Sequence, residues 1–421
     1  MEFAKNVWKL LVGIKDGLSL LFLLLFFALL FAILTARPNP ASVKDGALLL
    51  DLDGFIVEEK SPIDPFSVLL SGEAPTGEHD VQDLVHALDT AAEDDRVKAV
   101  VLDMRTFLGA GAVHLREVGA ALDRVRAADK PVLAYGMAYS DDGLRLAAHA
   151  SEVWLDPLGG AMIAGPGGKR LYYGDLLDKL GVNARVFKVG TYKSAVEPYL
   201  GNSMSEPARE NARELYGELW SEWQASVKKA RPKIDIERVA QTPAEWVASA
   251  NGDIAKAAVA AGMVDKLGSW TAFGDRVAEI AGKDKGDSKP GSFAHTDMST
   301  WLADNPFDDS GDAIGVVTIA GEIVDGDAGP GTAGGERIAD LLDEALDDNL
   351  KGLVVRVDSP GGSVLASEAI REAILRHKAK GIPVAVSMAN VAASGGYWVS
   401  TPADRIFAEP ETITGSIGIF A

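Results

Sequence analysis

Cysteine is absent from this 421-residue chain, and the absence removes several classes of site at once. Without cysteine there is no disulfide, no zinc site built on thiolates and no cysteine nucleophile. Basic residues are also in short supply, because 41 Lys and Arg face 61 Asp and Glu and the formal net charge is −20. Phosphate backbones are bound by clustered Lys and Arg, so this balance argues against a protein that binds DNA or RNA. At roughly 150 residues per domain, the length predicts two or three domains.

One long apolar run lies near the N-terminus. Residues 18–34 contain a single polar side chain, Ser19, and with the small residues on either side the run reaches 20 residues. At 1.5 Å per residue, a helix of that length spans about 30 Å, the thickness of the hydrocarbon core of a bilayer. Three lysines precede the run, and positive charge marks the cytoplasmic side. We therefore expect residues 1–17 in the cytoplasm, a transmembrane anchor over residues 18–36, and the rest of the chain across the membrane.

A cleaved signal peptide is the alternative interpretation of this run. The run is longer than the apolar core of a typical signal peptide, and Arg37-Pro38 follows where small residues would precede a cleavage site. Both observations favour a retained, single-pass anchor.

The rest of the chain alternates strand-like apolar runs with segments of helical periodicity. Val97–Asp103 is an almost continuous apolar run suited to a buried parallel strand, and Val81–Ala92 repeats its apolar residues at helical spacing. Hairpin signals are few. This alternation predicts an α/β fold with mostly parallel sheets.

Two parts of the chain match each other at a nearly constant spacing. The strings that begin at Val97 and Glu152 resemble those that begin at Leu350 and Arg405, at an offset of 253 residues. A chance match of generic α/β patterns would not keep one offset, so we predict the duplication of a whole domain. The predicted parts are a first copy, a linker rich in Gly, Asp, Ser, Lys and Pro, and a second copy: residues 46–281, 282–312 and 313–421.

The second copy is much shorter than the first. It has no counterpart of the first copy beyond about Gly165, so we expect it to be incomplete at its C-terminal end.

The two copies differ at a turn where chemistry is expected. In the second copy the buried strand leads into Asp358-Ser-Pro-Gly-Gly-Ser363, where the first copy has Arg105-Thr-Phe-Leu-Gly-Ala110. Two glycines let backbone N–H groups turn toward an oxygen atom, and the N-terminus of a following helix adds partial positive charge. Gly361 and Gly362 are therefore candidates for an oxyanion hole. A plain strand-to-helix turn is the alternative.

A candidate nucleophile follows the next strand of the second copy. Ser394 lies in Ala389-Asn-Val-Ala-Ala-Ser-Gly-Gly-Tyr397, whose small residues would leave its hydroxyl open to a substrate. The matching position in the first copy is Asp141 or Asp142, which has no hydroxyl. A helix cap is the alternative role, and the string is not the Gly-x-Ser-x-Gly elbow of α/β-hydrolases.

A serine nucleophile requires a base. His377 is flanked by Arg376 and Lys378 and is expected to be solvated, and the other five histidines lie on polar or loop stretches without an obvious Asp partner. A Ser-His-Asp triad thus has little support. Lys193 lies in apolar and aromatic surroundings, and it can act as a base if burial lowers its pKa from about 10.4 toward neutrality. An ordinary surface lysine is the alternative.

Together these strings resemble the bacterial signal peptide peptidases of the protease IV type, in their long, tandemly duplicated, membrane-anchored form. Tyr192–Pro198 and Ala393–Tyr397 are the specific strings, and Asp358–Gly362 and Thr414–Gly418 support them. The resemblance covers essentially the whole chain. It implies a fold of two tandem ClpP/crotonase-like domains that work through a Ser/Lys dyad.

The resemblance also implies the roles of individual residues. Ser394 would be the nucleophile and Lys193 the general base, so that each copy supplies one of them. Ser416 would hold the lysine amine, and Gly361 and Gly362 would form the oxyanion turn. No cofactor and no metal are expected.

The activity implied by the resemblance is the hydrolysis of peptide bonds through an acyl-enzyme. Its substrates would be signal-peptide remnants left in the membrane after secretion. The resemblance further implies a homo-oligomer, a tetramer for the long form, in the bacterial inner membrane with its catalytic domains on the periplasmic side. Two alternatives are a non-catalytic scaffold that binds peptides and crotonase-like acyl-CoA chemistry, and the latter would leave Lys193 and Ser394 without a role.

Overall fold

The computed structural model shows two α/β units with parallel sheets, preceded by a long N-terminal helix. It describes residues 1–35, 43–63, 68, 72, 75–308 and 310–418. The α/β class with mostly parallel sheets, predicted from the sequence, is confirmed.

The strands in chain order are β1 Gly46–Asp51, β2 Gly54–Val57, β3 Glu78–Asp80, β4 Val97–Asp103, β5 Phe107–Ala110, β6 Val132–Tyr139, β7 Glu152–Ala161, β8 Lys266–Leu267, β9 His295–Asp297, β10 Ile314–Ala320, β11 Ile323–Val324, β12 Ala333–Gly334, β13 Gly352–Ser359, β14 Val384–Ala392 and β15 Arg405–Phe407. The α-helices are Glu2–Thr35, Val81–Glu93, Ala112–Ala127, Asp141–Ala147, Gly174–Lys179, Glu206–Ala230, Ile236–Gln241, Pro243–Ala248, Ile254–Ala260, Trp270–Ala281, Met298–Asp304, Gly335–Glu344, Val364–Ala379 and Gly395–Ser400.

The N-terminal helix covers the predicted anchor as far as residue 35, and residue 36 lies outside the described residues. It begins earlier than the apolar run, at Glu2, because the preceding residues include no proline and extend the same helix. Within the described residues it is the one helix that is long and apolar enough to cross a membrane, with a candidate span of Lys5–Phe31 and a mean hydropathy of 2.2. This helix suggests membrane anchoring.

The first unit contains a sheet of six parallel strands in the order β8-β7-β6-β4-β1-β9. Helices Val81–Glu93 and Ala112–Ala127 pack on one face of this sheet, and helix Trp270–Ala281 packs on the other. Every residue of Val97–Asp103 except Lys98 is buried. Burial on both faces explains why this strand is an almost continuous apolar run.

Part of the predicted linker belongs to this first unit. β9 pairs with β1, and the helix Met298–Asp304 follows it. Phe293 is 4% exposed and Trp301 is fully buried. The prediction of an exposed linker over residues 282–312 was therefore wrong for this part, because two aromatic side chains within a polar stretch bury enough apolar surface to anchor it.

The second unit contains a sheet of four parallel strands in the order β10-β13-β14-β15, with helices Gly335–Glu344 and Val364–Ala379 packed on one face. The order of these four strands repeats that of β1, β4, β6 and β7 in the first sheet. On this basis we propose that the two units are the copies predicted from the sequence.

A side chain of the second unit caps a helix of the first. Asn390 lies near the end of β14, and its Oδ1 accepts the backbone N–H of Val113 at 2.9 Å, in the first turn of the helix Ala112–Ala127. A Cβ on Gly111 would lie 2.0 Å from Asn390 Cγ, so only glycine admits this approach. The cap satisfies a helix donor that has no partner within the helix, and it fixes the strand end that leads to Ser394.

Candidate active site

Ser394 lies at the sharp turn between β14 and the helix Gly395–Ser400. Its backbone has φ 51° and ψ −113°, a conformation that residues with a side chain rarely adopt. Such strain costs on the order of 1–3 kcal/mol and is concentrated at functional sites. The residues differ from Gly-x-Ser-x-Gly, yet the strained strand–turn–helix path is that of a nucleophile elbow.

The turn Gly361-Gly362 lies directly against Ser394. Both glycines have positive φ, 90° and 156°. A Cβ on Gly361 would lie 2.4 Å from Gly395 N and 2.8 Å from the Ser394 Cβ, so the close approach of the two turns requires glycine at position 361.

Two backbone N–H groups beside Ser394 are available to a ligand. The Gly361 N–H donates to Ser359 Oγ at 3.1 Å. No acceptor among the described residues takes the N–H of Gly362 or of Gly395, and Gly362 N lies 3.2 Å from the point where a Cβ on Gly395 would lie. Gly395 was missed from the sequence, although the residue after a nucleophilic serine is a common oxyanion donor.

Lys193 is buried, one of the two alternatives that its sequence surroundings leave open. It is 6% exposed, and its Nζ donates to the carbonyl oxygen of Ser416 at 2.9 Å and to Ser416 Oγ at 3.2 Å. Burial away from water lowers the pKa of Lys193. The two residues are 223 positions apart, and each lies in a different unit.

The two groups of predicted residues lie in neighbouring clefts with a common wall. Ser394 and Gly362 line a cleft of about 550 Å³, and Lys193 and Ser416 line a second cleft of about 710 Å³. Ile417 lines both clefts. The hydrogen bonds that Lys193 makes to described residues go to Ser416 and not to Ser394.

The Ser394 cleft has apolar walls and one charged edge. Val364, Tyr397 and Trp398 contribute to the walls. At the edge, Glu368 accepts from Arg371 at 2.6 Å and from the Trp398 Nε1 at 2.8 Å. These hydrogen bonds lower the pKa of Glu368 to about 2, so this carboxylate remains charged at neutral pH. The cleft is suited to an extended, largely apolar chain.

The histidines are arranged differently from the sequence-based expectation. His377, expected to be solvated, is fully buried with its Nε2 2.7 Å from the Leu342 carbonyl oxygen, because it faces the neighbouring helix between two outward-pointing basic residues. His149 and His79 do have Asp partners, at 3.0 and 3.1 Å. However, no histidine among the described residues lines the Ser394 cleft, so a Ser-His-Asp triad is not assembled there.

In the first unit the corresponding region is occupied by carboxylates. Ser140 directly precedes the helix Asp141–Ala147; its φ is an ordinary −84° and its side chain makes no capping hydrogen bond. Asp142 Oδ2 accepts from the N–H of Ala110 at 3.4 Å, and Asp141 accepts from Ala164 and Gly165 at 3.0 and 3.1 Å. Asp141 and Asp142, expected from the sequence to match Ser394, thus accept hydrogen bonds from backbone N–H groups, and the serine that precedes this helix has an unstrained backbone.

A family model matches the part of the chain that contains the candidate site residues. The model of peptidase family S49 matches residues 124–283 and 376–421, which contain Lys193, Ser394 and Ser416. A serine protease SPPA of Arabidopsis thaliana, which is chloroplastic, is 27% identical and aligns with 78% of this chain and 48% of its own length.

Among solved structures, the similar chains include a membrane-bound stomatin-specific protease, at 10% identity, 55% coverage of this chain, 84% of the other and a TM-score of 0.28. An enoyl-CoA hydratase/isomerase family protein from Silicibacter pomeroyi is 17% identical, with 57% and 79% coverage and a TM-score of 0.27. TM-scores this low carry no argument, so the fold of this chain rests on its own parallel sheets.

Two bacterial relatives match nearly the whole chain. Protease 4 of Salmonella typhi is 38% identical and aligns with 99% of this chain and 69% of its own length. Protease 4 of Haemophilus influenzae is 37% identical and aligns with 100% of this chain and 70% of its own length. The chain belongs to peptidase family S49.

Proposed function

We propose that this peptidase is a serine endopeptidase in which Ser394 is the nucleophile and neutral Lys193 is the general base. The observation that carries the proposal is the placement of a buried lysine of the first unit and a strained serine of the second in two clefts that share Ile417 as a wall. A lysine is an effective base only when its proton is held weakly, and burial provides this condition.

In the proposed reaction, Lys193 takes the proton of the Ser394 hydroxyl while Oγ forms a bond to the peptide carbonyl carbon. The negative charge on the carbonyl oxygen is held by the N–H groups of Gly362 and Gly395, with Gly361 shaping the turn. When the C–N bond breaks, the lysine ammonium gives its proton to the leaving amine. Water then hydrolyses the ester, with Lys193 again as the base.

Ser416 has a supporting role in this proposal. Its hydroxyl and carbonyl oxygens both accept hydrogen bonds from Lys193 Nζ. Two acceptors on one residue fix the position of the amine in the cleft next to that of Ser394. No cofactor or metal enters the reaction as proposed.

The proposed substrates are signal-peptide remnants left in the membrane. The apolar walls of the Ser394 cleft suit the apolar core of such peptides, and the N-terminal helix would keep the site close to the bilayer. From the lysines that precede the apolar run, we propose a single-pass protein of the bacterial inner membrane with both units on the periplasmic side.

We also propose that the chain works as a homo-oligomer, with a tetramer as the expected form. Residues 158–200 expose an unusual number of large apolar side chains, such as Leu158 at 93%, Phe187 at 73% and Val189 at 75%. Soluble monomers rarely leave a large apolar patch uncovered, so this segment is the proposed contact with neighbouring copies.

The test of the dyad is the loss of activity in two single variants. We expect Ser394→Ala and Lys193→Ala each to abolish hydrolysis of an apolar peptide while thermal unfolding stays cooperative. The matched controls are Ser203→Ala and Lys285→Ala, which change exposed residues outside the proposed contact segment and should leave the rate unchanged.

A serine-directed acylating probe supplies an independent measurement. It should label Ser394 in the unaltered chain and label much more slowly in Lys193→Ala, with the labelled residue located by mass spectrometry. Undiminished cleavage by either variant would overturn the dyad. Peptide binding without cleavage by the unaltered chain would instead favour a scaffold.

A further inference from the structure

A buried carboxylate of the second unit is held by two arginines of the first. Glu411 has a fully buried side chain. Its Oε1 accepts from Arg145 at 2.6 Å and from Arg116 at 2.8 Å, and its Oε2 accepts from Arg116 at 2.7 Å. Arg145 is itself 2% exposed. We name these three residues the Glu411 clamp.

Burial alone would raise the pKa of Glu411, but hydrogen bonds from Arg116 and Arg145 outweigh it and hold that pKa below its usual value. The carboxylate is therefore charged at neutral pH. A charged group this deeply buried is tolerated only with well-placed partners, so the clamp fixes where this part of the chain lies.

The clamp begins the short segment that carries Ser416. Two residues further on, Ile413 pairs with the end of β14: its N–H donates to the Asn390 carbonyl and its carbonyl accepts from the Ala392 N–H, both at 2.9 Å. Ser416 then meets Lys193. The segment 411–416 is thus fastened at three points, of which the first and last are on the first unit.

We propose that Glu411 is a positioning residue: by docking its own segment on the first unit, it holds Ser416 against Lys193. The proposal rests on the dyad proposed above and assigns Glu411 no contact with the substrate. Glu411, Lys193 and Ser416 all line the 710 Å³ cleft, so loosening the clamp would expose the buried Lys193 amine to water.

Other charged groups share these surroundings. Arg170, Glu214 and Glu218 line the same cleft. Glu222 lies 3.1 Å from Arg116, and Glu409 lies 3.7 Å from it. These residues are unchanged in every variant, so their electrostatic effect on the pKa of Lys193 is the same throughout.

The positioning role and a simple charge effect have opposite signs. Removing a nearby negative charge would lower the pKa of a lysine, because the ammonium loses a favourable interaction. Loosening the segment admits water to Lys193 and raises that pKa toward the value in water. A positioning role therefore moves the acid limb of the pH–rate profile to higher pH, and a charge effect moves it to lower pH.

The experiment compares Glu411→Gln with the unaltered full chain in detergent, using kcat and KM for an apolar peptide as a function of pH. We expect kcat to fall at least about tenfold at neutral pH, KM to change little, and the midpoint of the acid limb to rise by roughly one unit. Glu411→Asp should restore part of the rate. Arg116→Lys, which keeps the positive charge but loses the two-point contact with Glu411, supplies a milder variant should Glu411→Gln fail to fold.

The matched control is Glu58→Gln. Glu58 is also a buried glutamate paired across the two units, with Arg356 at 2.9 Å, but it lies outside the segment 411–416. Glu58→Gln should lower the unfolding temperature and leave the acid limb of the pH–rate profile unmoved.

Three outcomes separate the proposals. If Ser394→Ala and Lys193→Ala remain active, the dyad falls and the role of Glu411 falls with it. If the dyad variants are inactive but the Glu411 and Arg116 variants keep the acid limb of the unaltered chain, Glu411 is structural only and the proposal is overturned. A limb displaced to lower pH overturns it as well.

Discussion

At the scale of single residues, the site depends on two unfavourable placements. Ser394 adopts a backbone conformation that residues with a side chain avoid, and Lys193 is buried although its charged form prefers water. Both placements persist because the surrounding fold is more stable than the local cost. The first leaves the Ser394 hydroxyl accessible at the turn, and the second lowers the pKa of the Lys193 amine.

The activity is predicted to fall as the pH is lowered. Burial lowers the pKa of Lys193 from its ordinary value of 10.5, and below the lowered pKa the ammonium cannot accept the proton of Ser394. On the acid side of the pH profile, kcat/KM should therefore fall about tenfold per pH unit, and the midpoint of this limb should lie below 10.5. Lys193→Arg, which stays protonated, should be inactive throughout. A rate independent of pH across this limb would contradict the proposed base.

At the scale of elements, the site is made where two strand-to-helix turns of the second unit meet. β13 leads through Gly361-Gly362 into the helix Val364–Ala379, and β14 leads through Ser394 into the helix Gly395–Ser400. Parallel strands end at the same edge of a sheet, so the two turns are neighbours. Their contact is close enough that a single methyl group would separate them.

Gly361→Ala is predicted to abolish activity while the chain still folds. The new Cβ would lie 2.4 Å from Gly395 N and would displace the proposed oxyanion donors, at a loss of about 10²-fold or more in kcat. Gly381→Ala is the matched control, since Gly381 also has positive φ but nothing within 4 Å of its Cβ position. It should lose about 1 kcal/mol of stability and keep its activity. Equal rates in the two variants would rule out the proposed turn.

At the scale of the whole molecule, buried ion pairs hold the two units together. Arg356 of the second unit contacts Glu58 at 2.9 Å and Glu117 at 3.0 Å, both in the first unit. Burial raises the pKa of Glu58, but hydrogen bonds from His114 and Arg356 outweigh this and leave it lowered. The contact between Lys193 and Ser416 lies at the same junction of the two units.

Arg356→Met is predicted to destabilise the chain by about 3–5 kcal/mol near neutral pH, because it removes the arginine partner of the buried Glu58 carboxylate. The lowered pKa of Glu58 stabilises the unaltered chain above the pKa that Glu58 has when unfolded, and this stabilisation is lost as the pH falls. The difference between the two proteins should therefore shrink on acidification. Denaturant unfolding at several pH values measures it.

The control for this prediction is Arg376→Met. Arg376 pairs with Asp343 at 2.6 Å, but both side chains are more than 40% exposed, and such pairs contribute at most about 1 kcal/mol. If Arg356→Met and Arg376→Met lose a similar free energy of unfolding, the ion pairs between the units contribute no more than an exposed pair.

The amino-acid sequence by itself determined the local features of this protein. Continuous apolar runs become buried parallel strands, and the long N-terminal run becomes a helix, because these structures depend on the pattern of neighbouring side chains. Membership of peptidase family S49 also follows from the sequence.

Only the tertiary structure decided which distant groups meet. The strained backbone of Ser394, the position of Gly395 against the Gly361-Gly362 turn, the buried His377 and the clamp on Glu411 have no local signal, since each depends on residues from another part of the chain. The contact between Lys193 and Ser416, 223 residues apart, joins the two units. Distance along the chain hides such contacts from any local pattern, and packing alone brings them together.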